Sequence, residues 1–104
     1  MAFLAKLAAD GQLATSTAAI YTVPTNTAAY VRTMKFHNTN AATQTVNLFI
    51  NGSGTNRKTY RFQLLQNDTA VVDDAYTLEA GDSIQADTTT ASAVDFSIHG
   101  VEES

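Results

Sequence analysis

Between Thr43 and Leu64 the sequence alternates apolar and polar residues in two runs, separated by a cluster of glycine and small polar residues. Val46, Leu48 and Ile50 alternate with Thr45, Asn47 and Phe49, and Tyr60, Phe62 and Leu64 alternate with Thr59, Arg61 and Gln63. A period of two belongs to a half-buried strand, whose successive side chains point to opposite faces. The intervening Asn51-Gly52-Ser53-Gly54-Thr55-Asn56 supplies residues that tolerate the positive φ of a hairpin loop. The apolar sets fix the register. Val46 facing Phe62 and Leu48 facing Tyr60 leaves the loop Gly52–Asn56, whereas a slip of one residue puts Arg61 opposite Val46 on the core face.

The same signal recurs along the chain. Ala18–Val23 is extended and stops at the only proline, Pro24, which opens the turn Pro24-Thr25-Asn26-Thr27. Tyr30–Asn38 reads as a strand with Met34 and Phe36 inward, and Ala70–Asp73 as a short one. Tyr76–Ile84 reads as a strand end, a corner at Ala80-Gly81-Asp82 and a new strand, and Ala93–Gly100 alternates Val94, Phe96 and Ile98 against Asp95, Ser97 and His99. Seven or eight short strands with a turn signal about every ten residues predict an all-β fold: a single antiparallel β-sandwich, immunoglobulin-like or jelly-roll-like. The expected core is Met34, Phe36, Val46, Leu48, Ile50, Tyr60, Phe62, Leu78, Ile84, Val94, Phe96 and Ile98. Residues 1–10 fit the pattern less well. Ala2–Ala9 is too short for a stable isolated helix, so 1–10 is read as an N-terminal arm that pairs with the sandwich or a neighbouring subunit, and 11–104 as the domain.

A chain of 104 residues has room for one core, burying roughly 65% of its unfolded surface. The absence of cysteine excludes a disulfide framework and any cysteine-ligated metal or cluster. The apolar stretch around Lys6 is too short for a signal peptide, and nowhere do about 18 apolar residues run together to span a bilayer. Synthesis in the cytoplasm, with no membrane partner, is the expectation. Charge is segregated. All six basic residues lie in 1–61 with one acid, Asp10, while 62–104 holds the other nine acids and no base. Basic and acidic strands are therefore expected either to pair across a sheet or to bring the acidic edge of one copy against the basic edge of the next. Six bases against ten acids make a poor footprint for a nucleic acid.

Nothing in the sequence builds an active site. His37 and His99 fall on outward phases of strands with no motif around them, and read as solvated strand histidines rather than bases. With Asp95 they offer at most three metal ligands on unproven neighbours. Asp73-Asp74 and the Glu79–Asp82 corner lack the loop that organises calcium, and an acid beside glycine more often bonds its own turn. Gly52 and Gly54 lie between strands rather than before a helix, so they form no phosphate loop. No catalytic, cofactor or metal residue is expected. Binding surface remains. Phe49 is placed outward beside Thr59, near Arg61 and Asn47, the pattern of an interface anchor, unless the chain's own arm covers it. Phe3, Leu4 and Leu7 of that arm complete the expected interface residues. The rival binding reading is a carbohydrate groove lined by Tyr21, Tyr30, Phe49 and Tyr76.

Gly11-Gln-Leu, Ile20-Tyr-Thr-Val-Pro24, Tyr30-Val-Arg-Thr-Met-Lys-Phe-His-Asn-Thr39, Thr45-Val-Asn-Leu-Phe-Ile-Asn51, Leu78-Glu-Ala-Gly-Asp-Ser-Ile84 and Val94-Asp-Phe-Ser-Ile-His-Gly-Val-Glu102 occur in that order. This succession, spanning about residues 11–102, resembles the small β-sandwich structural proteins of tailed bacteriophages. The resemblance implies a virion component without catalytic residues, working through other copies of itself, in a trimer for example, and through major capsid or tail proteins. A capsid decoration (cement) protein is the first expectation. A tail, neck, baseplate or fibre-associated protein is the second.

Overall fold

A computed structural model of the chain describes residues 3–52, 55–73 and 75–103, with residues 3–8 described as backbone alone. The described residues form nine strands: β1 (Phe3–Gln12), β2 (Ala18–Thr22), β3 (Ala28–Asn38), β4 (Gln44–Gly52), β5 (Thr55–Leu64), β6 (Thr69–Val72), β7 (Tyr76–Leu78), β8 (Ser83–Thr88) and β9 (Val94–Glu103). One sheet runs β1-β9-β3-β6, with β7 also on β3, and the other runs β2-β8-β4-β5. All pairings are antiparallel.

The order of partners identifies the architecture. β1 pairs β9, β2 pairs β8, β3 pairs β6 and β7, and β4 pairs β5. Each strand thus meets its mirror image in sequence, like one long hairpin folded over on itself, and only β4 to β5 connects neighbours within a sheet. With β6 and β7 counted as one interrupted strand, this is the eight-stranded jelly roll. In an immunoglobulin-like sandwich the first two strands share a sheet; here β1 and β2 lie in opposite ones.

The hairpin keeps the expected register, Val46 opposite Phe62 and Leu48 opposite Tyr60, but its loop is shorter than the sequence suggests. A bulge at Thr59 shifts the pairing by one, so that Phe49 faces Lys58, Asn51 faces Asn56 and Gly52 faces Thr55. Without the extra residue this register would leave an odd loop. With it, the strands close on the two-residue connection that twisted hairpins favour. That connection, Ser53-Gly54, is outside the described residues.

Phe36 and Phe62 meet across the two layers with ring centroids 5.5 Å apart. Of the expected core, Tyr60 and Phe62 are only half-buried, because β5 is the last strand of its sheet, and so is Ile50 of β4; the other nine are buried. Leu13, Tyr21, Val23, Ala29, Val31, Leu64, Val72 and Ala86 are also buried in the core. Val31 escapes the alternation because Arg32 bulges out of the pairing between β3 and β9. Inward residues are Ala29 and Val31 before the bulge and Met34, Phe36 and Asn38 after it.

One end of the sandwich is closed by buried amides rather than apolar residues. Asn38 Nδ2 donates to the carbonyls of Ala42 (2.9 Å), Leu64 (3.0 Å) and Leu65 (3.2 Å), and its Oδ1 accepts from the amide of Asn40 at 2.8 Å. Gln44 Oε1 accepts from the Thr90 amide at 2.8 Å and from Thr88 Oγ1 at 3.3 Å. At the opposite end Gly81, at φ +88°, donates its amide to Val23. Asp82 caps that corner by accepting from the Glu79 amide at 3.0 Å, the turn-binding role expected of an acid beside glycine.

Candidate interaction surface

The interface residues read from the sequence divide between the layers. Phe3, Leu4 and Leu7 stand opposite Glu103, Glu102 and His99 in the pairing of β1 with β9, and their side chains are outside the described residues. Phe49 and Arg61 belong to the other sheet, so the five do not form one surface. The described strand of the arm runs in the layer opposite Phe49's sheet and does not cover its outer face.

That outer face is a lattice of rungs set by the register. Asp87, Asn47 and Arg61 make one rung, Gln85, Phe49 and Lys58 the next, and Ser83, Asn51 and Asn56 a third. Asn47 Nδ2 donates to Asp87 Oδ1 at 2.8 Å, and Thr17 Oγ1 donates to Asp87 Oδ2 at 2.7 Å. The carboxylate thus dictates which way the Asn47 amide points, leaving its buried Oδ1 without a hydrogen-bond partner. Asn56 Nδ2 donates to Gln85 Oε1 at 3.0 Å. Phe49 is half-buried without packing on the core. Its cover is Lys58, whose Nζ lies 5.7 Å from the ring centroid, a cation over an aromatic face. The bulge at Thr59 makes this pairing, where the sequence had placed Thr59 itself beside Phe49.

Among the described residues the register sets no lysine or arginine directly opposite an acid. Arg57, Lys58 and Arg61 lie on β5, whose partner β4 carries no charge, and Lys35 faces Ser97 and Val71. The acids instead accept bonds from neutral donors of their own chain. Asp95 takes Gln12 Nε2, Asp68 takes the Leu65 amide, Asp73 takes Thr33 Oγ1, and Glu102 and Glu103 take Tyr21 and Tyr30. Carboxylates therefore fasten turns and strands, while Lys58 and Arg61 of β5 lie on the outer face.

Two clefts accompany these surfaces. A groove of about 440 Å³ runs between the free strands β5 and β6, lined by Tyr60, Phe62, Ala70, Val71, Val72 and Asp73. A smaller one of about 300 Å³ on the outer face of the five-stranded sheet holds Asp10, Lys35, His37, Thr69, Asp95 and Ser97. There His37 Nδ1 is 2.7 Å from Thr69 Oγ1, while His99 Nε2 is 3.1 Å from Ser97 Oγ. Each histidine is thus a strand residue bonded to a neighbouring hydroxyl. Among the described residues no three His, Cys, Asp or Glu side chains gather as a metal site, and Asp74 is outside them.

The four aromatics proposed for a carbohydrate groove lie apart. Tyr21 is 7% exposed within the sandwich, Tyr76 packs against the core, Tyr30 bonds Glu103, and Phe49 lies on the outer face of the other sheet. Tyr21 is pushed well above the usual phenol range by burial and by its bond to the Glu102 carboxylate. Tyr30 is raised by its bond to Glu103.

No protein-family profile and no curated protein sequence matches this chain. Solved structures do. A protein of Bacillus endospore appendages, described as disulfide-linked pili, is similar over 98% of this chain and 88% of its own, with TM-score 0.60 and 14% identity. A chain of the T13 IBDV viral particle is similar over 97% of this chain, with TM-score 0.57 and 8% identity. A chain of the infectious bursal disease virus Gx strain is similar over 97%, with TM-score 0.53 and 11% identity. This chain spans 29% and 32% of those two viral chains. At these identities the likeness is one of fold.

Proposed function

We propose that this chain is a non-enzymatic structural protein of a virion, working by contact with copies of itself and with shell proteins. The observation that carries the reading is the nested jelly-roll topology, matched over nearly the whole chain by subunits of a viral particle and of a pilus. Together with the resemblance to phage β-sandwich proteins, it favours a capsid decoration protein that stabilises the shell from outside. The docking residues would be Phe49 and Arg61 on the four-stranded sheet, and Phe3, Leu4 and Leu7 on β1. Its place would be the virion, after synthesis in the host cytoplasm, with neither nucleic acid nor membrane as partner. Among the described residues no helix is long and apolar enough to cross a membrane.

Deleting the gene and locating the protein in a particle reconstruction test this. A decoration role predicts a fixed copy number on the shell, and particles that lose heat or osmotic resistance without it. Unchanged particles that fail to adsorb would instead assign it to the tail or to host binding. The pilus likeness supports assembly as such, but a disulfide-linked mode is closed to a chain with no cysteine. A carbohydrate-binding role is disfavoured by the scattered aromatics, and a glycan array with no signal would remove it.

A further inference from the structure

We propose that β5, the end strand of its sheet, receives alongside Tyr60–Leu64 an extended segment of an acidic partner protein in which apolar and acidic residues alternate. The inference rests on the assembly role above and adds the chemistry of the partner.

β5 is the last strand of its sheet, so its far edge pairs with no strand of the described residues; its Leu64 end is closed, with the carbonyl held by Asn38 Nδ2. The bulge at Thr59 lies to one side, leaving Tyr60–Leu64 regular. The two faces of this edge differ. On the inner side, half-buried Tyr60 and Phe62 line the groove of about 440 Å³ with Ala70 and Val72, and Val71 there is 55% exposed. On the outer side lie exposed Arg61 and Gln63, with Lys58 over Phe49.

A strand added to this edge continues the sheet's period of two. Its alternate residues fall into the groove and beside the cations, which asks for apolar residues on one phase and acids on the other. Among the described residues the carboxylates nearest the groove are occupied: Asp73 on the opposite wall accepts from Thr33 Oγ1, and Asp68 holds the Leu65 amide. Asp87 on the outer face is two strands away and bonded to Asn47 and Thr17.

A second copy is a poor occupant. Pairing β5 with another β5 brings Arg57, Lys58 and Arg61 of two chains together, and like charges across an edge repel. Among the other end strands, β2 and β6 carry no charge and β1 carries Lys6 with Asp10. The cations and bulge that protect an exposed strand from indiscriminate pairing are the features that select an acidic complement.

The test titrates the full chain with blocked peptides of alternating valine and glutamate, of alternating valine and lysine, and of shuffled valine and glutamate, while amide exchange is read by NMR. The alternating acidic peptide should bind, weaken as salt rises past about 0.15 M, and slow exchange at Tyr60–Leu64 by about tenfold or more. In a Lys58→Glu, Arg61→Glu double variant the preference should invert toward the lysine peptide; both positions are exposed, so the thermal midpoint should hold. No binding, equal binding of both charge types, or protection elsewhere overturns the proposal. So does self-association that already protects β5 before peptide is added. Failure here with the protein still located on the shell removes the β5 edge alone; absence from particles removes the assembly role.

Discussion

Tyr21 in β2 donates its phenol to Glu102 in β9 at 2.5 Å, tying one sheet of the sandwich to the other. Next along β9, Glu103 accepts from Tyr30 of β3 within its own sheet. Two consecutive acids are thus held by tyrosines from different layers.

Tyr21→Phe should cost about 1.5–3 kcal/mol, as loss of a hydrogen bond to a charged group does. It should also change the alkaline limb of stability. The folded state binds the Tyr21 proton more tightly than the unfolded chain, so this contribution is whole below about pH 10 and is lost as pH rises above it. Denaturant midpoints measured from pH 8 to 11 should fall more steeply for the wild type than for the variant. Parallel slopes would assign the alkaline loss to other groups.

Gly100→Ala should fail or fold poorly. A Cβ there would strike the Tyr30 carbonyl oxygen and lie 3.1 Å from Val31 Cα and 3.2 Å from the Tyr30 carbonyl carbon, all rigid backbone in the adjacent strand. Gly52→Ala meets nothing within 4 Å and serves as the control. A thermal midpoint lowered by several degrees in the first variant alone is the expected result.

Truncating the two rings that meet across the layers should separate core from edge. Phe36 has 0% exposure, so Phe36→Ala should cost about 3–5 kcal/mol. Half-buried Phe62 should cost roughly half of that. Equal losses by urea denaturation would mean that β5 is as enclosed as β3.

Asn38→Leu removes the donor shared by three carbonyls and the acceptor of the Asn40 amide, leaving buried groups unmet. About 3 kcal/mol or more should be lost, with faster amide exchange at Asn40 and Asn67. A loss below about 1 kcal/mol would show that water satisfies those groups instead.

Phe49→Ala and Arg61→Ala should leave the isolated subunit within about 0.5–1 kcal/mol of wild type, since neither side chain packs on the core. Their effect should appear in binding to particles. Equal loss of thermal stability in the free subunit would place Phe49 in the fold.

What alternation encodes was legible in the sequence. Val46 and Phe62, Leu48 and Tyr60 found their partners, and Phe49 and Arg61 their outward phase, because a one-residue slip would have buried an arginine. What interrupts alternation was not. The bulges at Arg32 and Thr59 change the phase without any special residue type, so the alternation reveals neither that Val31 joins the core nor that Lys58 meets Phe49. Asn38 and Gln44 are as buried as any leucine, yet a search for apolar residues passes over amides whose partners come from distant turns. The β5 groove depends on which strand ends a sheet, which is a property of topology rather than of local pattern.

β9 lies between β1 and β3 in the five-stranded sheet. During synthesis the four-stranded sheet has all its strands once β8 has emerged, whereas β1 and β3 must wait for β9 to come between them. Until then β3 can pair only with β6 and β7, and among the described strands only β4 and β5 pair as consecutive neighbours. Pairings so far apart in sequence make a chain fold slowly for its size.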